Sequence, residues 1–361
     1  MKFYLVFPNW NWGVYISPFF IFLFFLSCNR KDEAKTFEEF FAKTPRIALN
    51  PVKFEPMENS PYFINMYQLG YIDSVVIVNE FTDSEYTFKL IDLKSGNVKK
   101  FGKRGEGPNE LISDGGYFLT DVEKNQLIIG DGTFNYVYDV KEIFDENISP
   151  INSFEFEISD DRFIGHRVFS EGNIFGSTYL NRFGIYNIEN KGFEVHEDYP
   201  GGPGEALAHQ AYFIAKPDKS KIAYGMRSYP EFGIIEFDQK DFNVMRWNWG
   251  EVDSRVEEYS DGTRAMLGSI DDKLHFFSTA GGKESVYFLH SGMNLREPNG
   301  QVRKKGLLPQ VVYQLDWDGN PKAILDLGQD VKAIAVDPDE NFLFASSSTL
   351  DPKLLIFKLP K

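Results

Sequence analysis

The sequence predicts an all-β fold: a six-bladed β-propeller whose N-terminal strand closes the last blade, behind a signal peptide and a short tether. Three observations predict it. Phe (35) and Tyr (18) are abundant, and aromatic residues favour strands over helices. Short β-branched or aromatic runs, such as Ser74–Asn79, Gln126–Gly130, Gly233–Phe237 and Leu354–Phe357, are bounded by Gly, Asp, Asn or Pro, whereas no stretch after the leader sustains a helical period. A unit of strand, polar turn and return strand then recurs. Equivalent positions fall near Asp92, Asp139, Asn187, Phe237, Asp316 and Phe357, and spacings of about 40–50 residues are those of propeller blades.

The elements follow in order. Residues 1–27 read as a lipoprotein signal peptide. Lys2 supplies a positive start, no charge follows from Phe3 to Asn29, Phe19–Leu26 is apolar, and Ser27 is small. Phe25-Leu-Ser-Cys28 resembles a bacterial lipoprotein box, which makes Cys28, the one cysteine, the expected lipid attachment point. Two other readings stand beside it. One is an uncleaved span, which Pro8, Asn9, Asn11, Gly13 and Pro18 weaken. The other is a plain secretory signal. Residues 28–45 form a polar tether with room for a short helix at 37–42. Lys31-Asp-Glu33 resembles the export signal of surface lipoproteins in Bacteroidetes, so the expected location is the outer membrane, periplasmic or surface-exposed, with a slight lean to the surface.

Residues 46–361 form the propeller. The step from Phe237 to Asp316 is long, with the extra residues assigned around Ser291–Leu308. The last unit, Val331–Pro360, has three strand signals, and Arg46–Phe54 is placed to supply the fourth. Closing the ring this way would protect edges that otherwise pair with other chains.

Gly-Pro-x-Glu occurs twice, at 107–110 and 202–205, each time after an outermost strand and before the next blade. The first copy sits in Phe101-Gly-Lys-Arg-Gly-Glu-Gly-Pro-Asn-Glu110, after the strand Ile91-Asp-Leu-Lys-Ser-Gly96. This stretch resembles the TolB-like six-bladed propeller lipoproteins of Bacteroidetes, best over residues 60–210. The resemblance implies a lipid-anchored propeller and no agreed catalytic activity.

The motif reads first as a blade-closing turn, because Gly and Pro supply crossover geometry. Its second reading is a carboxylate facing a ligand, which makes Glu110 and Glu205 candidate binding residues; Arg104 within the first motif, His209 soon after Glu205, and Arg227 are the further candidates. His166 with Arg167 could also face the funnel. The five histidines lack ligand spacing for zinc. Asp316–Asn320 and Asp337–Asn341 fall short of a full calcium loop, so no cofactor is expected, with calcium possible only through single residues from several blades. No Gly-x-Ser-x-Gly elbow or phosphate-binding glycine loop occurs.

Net charge is −15, which opposes binding to nucleic acid. The basic insertion around Arg296, Arg303, Lys304 and Lys305 reads as a hairpin extension or a recognition loop. The expected function is therefore that of an envelope binding or interaction module for a glycan, peptide or protein partner. The alternative is a hydrolase or lyase working in the funnel, with or without calcium.

Overall fold

The computed structural model describes the chain from Ala34 onward, except residues 35, 53–62, 64, 81–84, 108–109, 113–115, 132–133, 146–147, 157–162, 171, 201–204, 207, 238–241, 251–254, 259–263, 268–272, 302, 304–307 and 350–352. The leader, Cys28, Lys31–Glu33 and the Lys304–Lys305 pair lie outside the described residues.

Six antiparallel sheets form the ring. Blade one is β2 (Met66–Ile72), β3 (Val75–Glu80), β4 (Tyr86–Asp92) and β5 (Val98–Lys103). Blade two is β6 (Tyr117–Asp121), β7 (Gln126–Asp131), β8 (Phe134–Asp139) and β9 (Asn152–Glu155). Blade three is β10 (Phe163–Ser170), β11 (Asn173–Thr178), β12 (Asn181–Asn187) and β13 (Gly192–Asp198). Blade four is β14 (Ala211–Ala215), β15 (Lys221–Met226), β16 (Glu231–Phe237) and β17 (Phe242–Asn248). Blade five is β20 (Lys273–Gly281), β21 (Ser285–Asn294), β22 (Val311–Asp316) and β23 (Pro321–Asp326). Blade six is β24 (Val331–Val336), β25 (Phe342–Ser347) and β26 (Leu354–Lys358). The first strand of each blade lies innermost, and β24 packs against β2, which closes the ring.

The repeat has a physical cause. Asp92, Asp139, Asn187 and Asp316 each end the third strand of a blade. Their side-chain oxygens accept backbone N–H groups two or three residues on: Lys94 (2.9 Å), Lys141 (2.8 Å), Asn190 (3.0 Å) and Asp318 (2.9 Å). These are Asx turns, which Asp and Asn form readily. Between blades the core is aromatic. Phe175, Phe183, Phe213 and Tyr224 interleave between blades three and four, for example.

The N-terminal segment departs from expectation. Arg46–Ala48 (β1) does not complete blade six along its length. It pairs in parallel with β23 as a fifth strand of blade five, and Arg46 bridges Asp326 at 2.8 Å. Among the described residues of the segment, Pro51 and Val52 reach blade six: Pro51 bridges Phe357, and the Val52 N–H donates to Ile356 O at 2.7 Å, while residues 53 and 54 lie outside the described residues. One segment thus laces the last two blades together.

The stretch read as tether is also packed from its second half. Thr36 caps a single helical turn, α1 (Phe37–Phe40), accepting the Glu39 N–H at 3.1 Å. Phe37 and Phe41 are buried against blades four and five, with Phe37 stacked on His290 at 4.2 Å and edge-on to Trp249 at 5.3 Å. Trp249 Nε1 donates to Ala34 O at 3.2 Å.

The long fourth-to-fifth step is split. A separate hairpin, β18 (Arg255–Glu258) with β19 (Arg264–Leu267), precedes blade five, and the β21–β22 connection carries the rest. In that connection Arg303 donates to Asn294 O and bridges Glu297, and Arg296 donates to Gly300 O, so the described arginines hold the loop itself.

Candidate functional site at the axial cavity

The six inner strands wall an axial cavity of about 110 Å³. Bulges interrupt the inner strands of blades one, three, five and six, and those of blades two and four run regularly. Bulges re-aim side chains, which is why they gather at sites. In β10 the register jumps between Ile164 and Arg167, and Gly165 takes φ of +64°, a conformation suited to glycine. Adjacent residues of a regular strand point to opposite faces. Here His166 and Arg167 both line the cavity.

His166 lies 4.4 Å from the Tyr212 ring. Burial pushes its pKa down to about 4, with the Arg167 and Arg227 charges adding to the shift, so the imidazole is neutral at pH 7. The Arg167 guanidinium lies 3.8 Å from the centroid of the Tyr117 ring and within hydrogen-bonding reach of its hydroxyl. Tyr117 is seated because Gly130 has no side chain: a Cβ there would fall 1.9 Å from the ring. The Tyr117 hydroxyl donates to Asn135 Oδ1 at 2.5 Å. At the other end of the cavity, Lys219 is buried and reaches back across blade three to Asp121 of blade two, at 2.9 Å, and to Glu123 at 3.1 Å.

The sequence candidates sit at the blade-crossover end and are distributed around the ring. Glu110 closes its own turn: Oε2 accepts the Gly107 N–H at 2.9 Å and Oε1 pairs with Lys103 at 2.8 Å. Those contacts hold its carboxyl below the usual range. Arg104 lies in the same crossover, with Nε 3.4 Å from Thr87 Oγ1 and a backbone bridge to Leu111. Glu205 and His209 belong to the crossover from blade three to blade four and pair at 3.2 Å. His209 is buried and stacked on Tyr229 at 4.3 Å. Arg227, exposed in the β15–β16 loop, is the one of the five whose charge reaches the cavity residues His166 and Tyr212. Asp316 and Asp337 close turns through hydrogen bonds to Asn320 and to Asn341 and Phe342. Among the described residues no cluster of three or more His, Cys, Asp or Glu could hold a metal ion.

Tyr117 and Tyr212 escaped the sequence reading, because their role depends on neighbouring blades. Gly165 was the available signal, a lone glycine inside a strand pattern.

The histidines predict an acid response. Burial holds His166, His209 and His275 down at about 4 and holds His290 well below the usual histidine range. An unfolded histidine titrates near 6.5, so the unfolded chain binds more protons below that pH. The stabilisation is complete above pH 6.5 and is lost as pH falls toward 4, on the order of 2–3 kcal/mol each for His209 and His275. Urea midpoints should hold steady from pH 8 to 6.5 and drop between 6.5 and 4; a flat profile through that window would contradict the neutral, buried assignment.

Six blades around a polar-lined axial cavity define the class: a six-bladed β-propeller. The chain belongs to the TolB-like 6-blade propeller-like family, whose model matches residues 57–339. No curated protein matches it by sequence. Among solved structures it is similar to a member of the DUF4221 family from Bacteroides vulgatus, at 10% identity over 86% of this chain and 95% of that one, with a TM-score of 0.54. It is also similar to regucalcin, a calcium-binding protein from Agrobacterium tumefaciens, at 10% identity over 87% and 95% of the two chains, with a TM-score of 0.50. At such identities the likeness is one of fold.

Proposed function

We propose that the protein is a lipid-anchored propeller of the outer membrane, held through Cys28, that acts as a binding module and takes its ligand or partner at the crossover end of the axial cavity. The observation that carries the binding role is the convergence of His166, Arg167 and Tyr212 on that cavity, with Arg227 beside it. A closed ring fixes these groups without any rearrangement, and preorganised groups lose less entropy on binding. The net charge of −15 favours partners other than polyanions.

The anchor and the binding role are tested separately. Cys28→Ala should move the protein from the membrane to the soluble fraction and abolish incorporation of labelled fatty acid. A variant that stays membrane-bound contradicts the anchor. Arg227→Glu should weaken capture of envelope glycans or peptides by the immobilised full chain at least tenfold, and equal capture contradicts the assigned face. Turnover of a captured compound would replace binding with the hydrolase or lyase reading.

A further inference from the structure

The charge of the axial cavity runs against that of the whole chain. The protein has 53 acidic and 38 basic residues, yet the described lining residues include Arg167, Lys216 and Lys219 and no Asp or Glu. Two of these cations are matched from outside the lining. Lys216 pairs with Asp218 at 2.7 Å, and Lys219 with Asp121 and Glu123. Arg167 has no carboxylate partner among the described residues, and its Nε is buried without a hydrogen-bond partner. It rests on the face of Tyr117 instead. Burying a cation beside an aromatic face recovers part of its lost hydration. It leaves the guanidinium able to accept an anion, whose planar carboxylate form matches the guanidinium fork.

We propose that the axial cavity is a binding site for a small organic monocarboxylate, with Arg167 as the anchoring cation. This rests on the reading of the cavity as a binding site and names its ligand class. One unmatched positive charge calls for one negative charge, which favours a monoanion over phosphate or sulfate. Next to it, neutral His166 and the Tyr212 hydroxyl offer hydrogen bonds that add no charge. The cavity holds on the order of four waters at liquid density. That is the size of a short-chain or hydroxy acid, or of a carboxylate ending a longer chain. The strand segments of Phe118, Leu119 and Ile334 border the cavity with their side chains packed between blades, and Thr120 and Thr279 of the lining carry hydroxyls. At the end away from the crossovers the lining runs into the turns that carry Val122, Lys216, Lys219 and Pro338, where the buried Lys219–Asp121 pair crosses between blades four and two.

The test is calorimetric titration of the full chain in detergent with butyrate, with lactate and with N-acetyl-Gly-Gly, each beside its neutral amide, and with sulfate, at constant ionic strength. The expected result is binding of at least one acid with at least tenfold preference over its amide and over sulfate. Binding of butyrate or lactate identifies a free acid as the source, and binding of the dipeptide acid alone identifies a chain end. Arg167→Gln should remove that binding, and Arg167→Lys, which keeps charge and loses the fork, should weaken it about tenfold. Amides binding as well as acids overturns the proposal, as does unchanged binding in both Arg167 variants. These results leave the broader binding role standing when the Arg227→Glu variant still loses its partner. The acid-against-amide comparison needs no variant, so it decides even where Arg167→Gln fails to fold.

Discussion

Replacing Glu231 by Ala is expected to cost about 3–5 kcal/mol of stability, the range for removing one partner of a buried ion pair. Glu231 and Arg182 are 2% and 3% exposed. The Glu231 carboxylate takes the Arg182 guanidinium, accepts the Tyr224 hydroxyl at 2.7 Å and Asn248 Nδ2 at 3.2 Å, and lies 3.2 Å from Arg246 Nε. Arg182 and Arg246 also share Glu197. Two arginines and two glutamates thus balance in charge at the seam of blades three and four. Without Glu231, two guanidinium groups share one carboxylate and Arg182 keeps its burial. The urea midpoint should fall by a corresponding amount. Exchanging both Arg182→Met and Glu231→Leu should cost less than Glu231→Ala alone, because no charge is then stranded. A loss under 1 kcal/mol for Glu231→Ala would show that water reaches the seam.

Phe37→Ala is expected to release the N-terminal segment and leave the ring folded. Phe37 is 5% exposed and meets Phe41, Trp249, Phe276, His290 and Tyr313. Truncating a buried Phe costs about 3–5 kcal/mol, and the turn must then be held by Phe41 on Tyr313 and by Phe40 on Trp247 and Trp249. Brief proteolysis should then cut between residues 34 and 45, where the wild type resists. Trp249 emission should shift to the red, since its ring loses Phe37 and its Nε1 loses Ala34 O. Identical cleavage patterns would mean that β1 alone secures the segment.

The blade period was legible because it is written in local chemistry: the Asp or Asn that ends a third strand makes its turn within two or three residues. The crossover motif was legible for the same reason, as Glu110 bonds within its own loop. The parallel pairing of β1 with β23 was not. A parallel edge pair carries no turn that marks its register, and Arg46 and Asp326 are 280 residues apart. The cavity site was half visible. His166 and Arg167 stand together in the sequence, but Tyr212 and Tyr117 reach them only through the ring. The buried network hid a regularity instead. Arg182 and Glu231 are 49 residues apart, and so are Glu197 and Arg246. Both pairs join equivalent positions of successive blades, so a search at that offset would have found them.

The lacing of the N-terminal segment has a mechanical side. A pull on the chain from its N-terminal end first meets Phe37 and its neighbours, whose contacts peel one after another. It next meets β1, which runs parallel to β23 and is held by Ile324 N–H to Pro45 O (2.9 Å), Leu49 N–H to Asp326 O (2.8 Å) and the Arg46–Asp326 bridge. Drawn along the strand axis, those bonds share the load in shear. Under the anchor proposed at Cys28, six residues before Ala34, the slack would be at most about 20 Å at full extension. Drag on the propeller would therefore tension the aromatic turn first and the fifth blade second, and the Pro51–Phe357 bridge to blade six would bear it last.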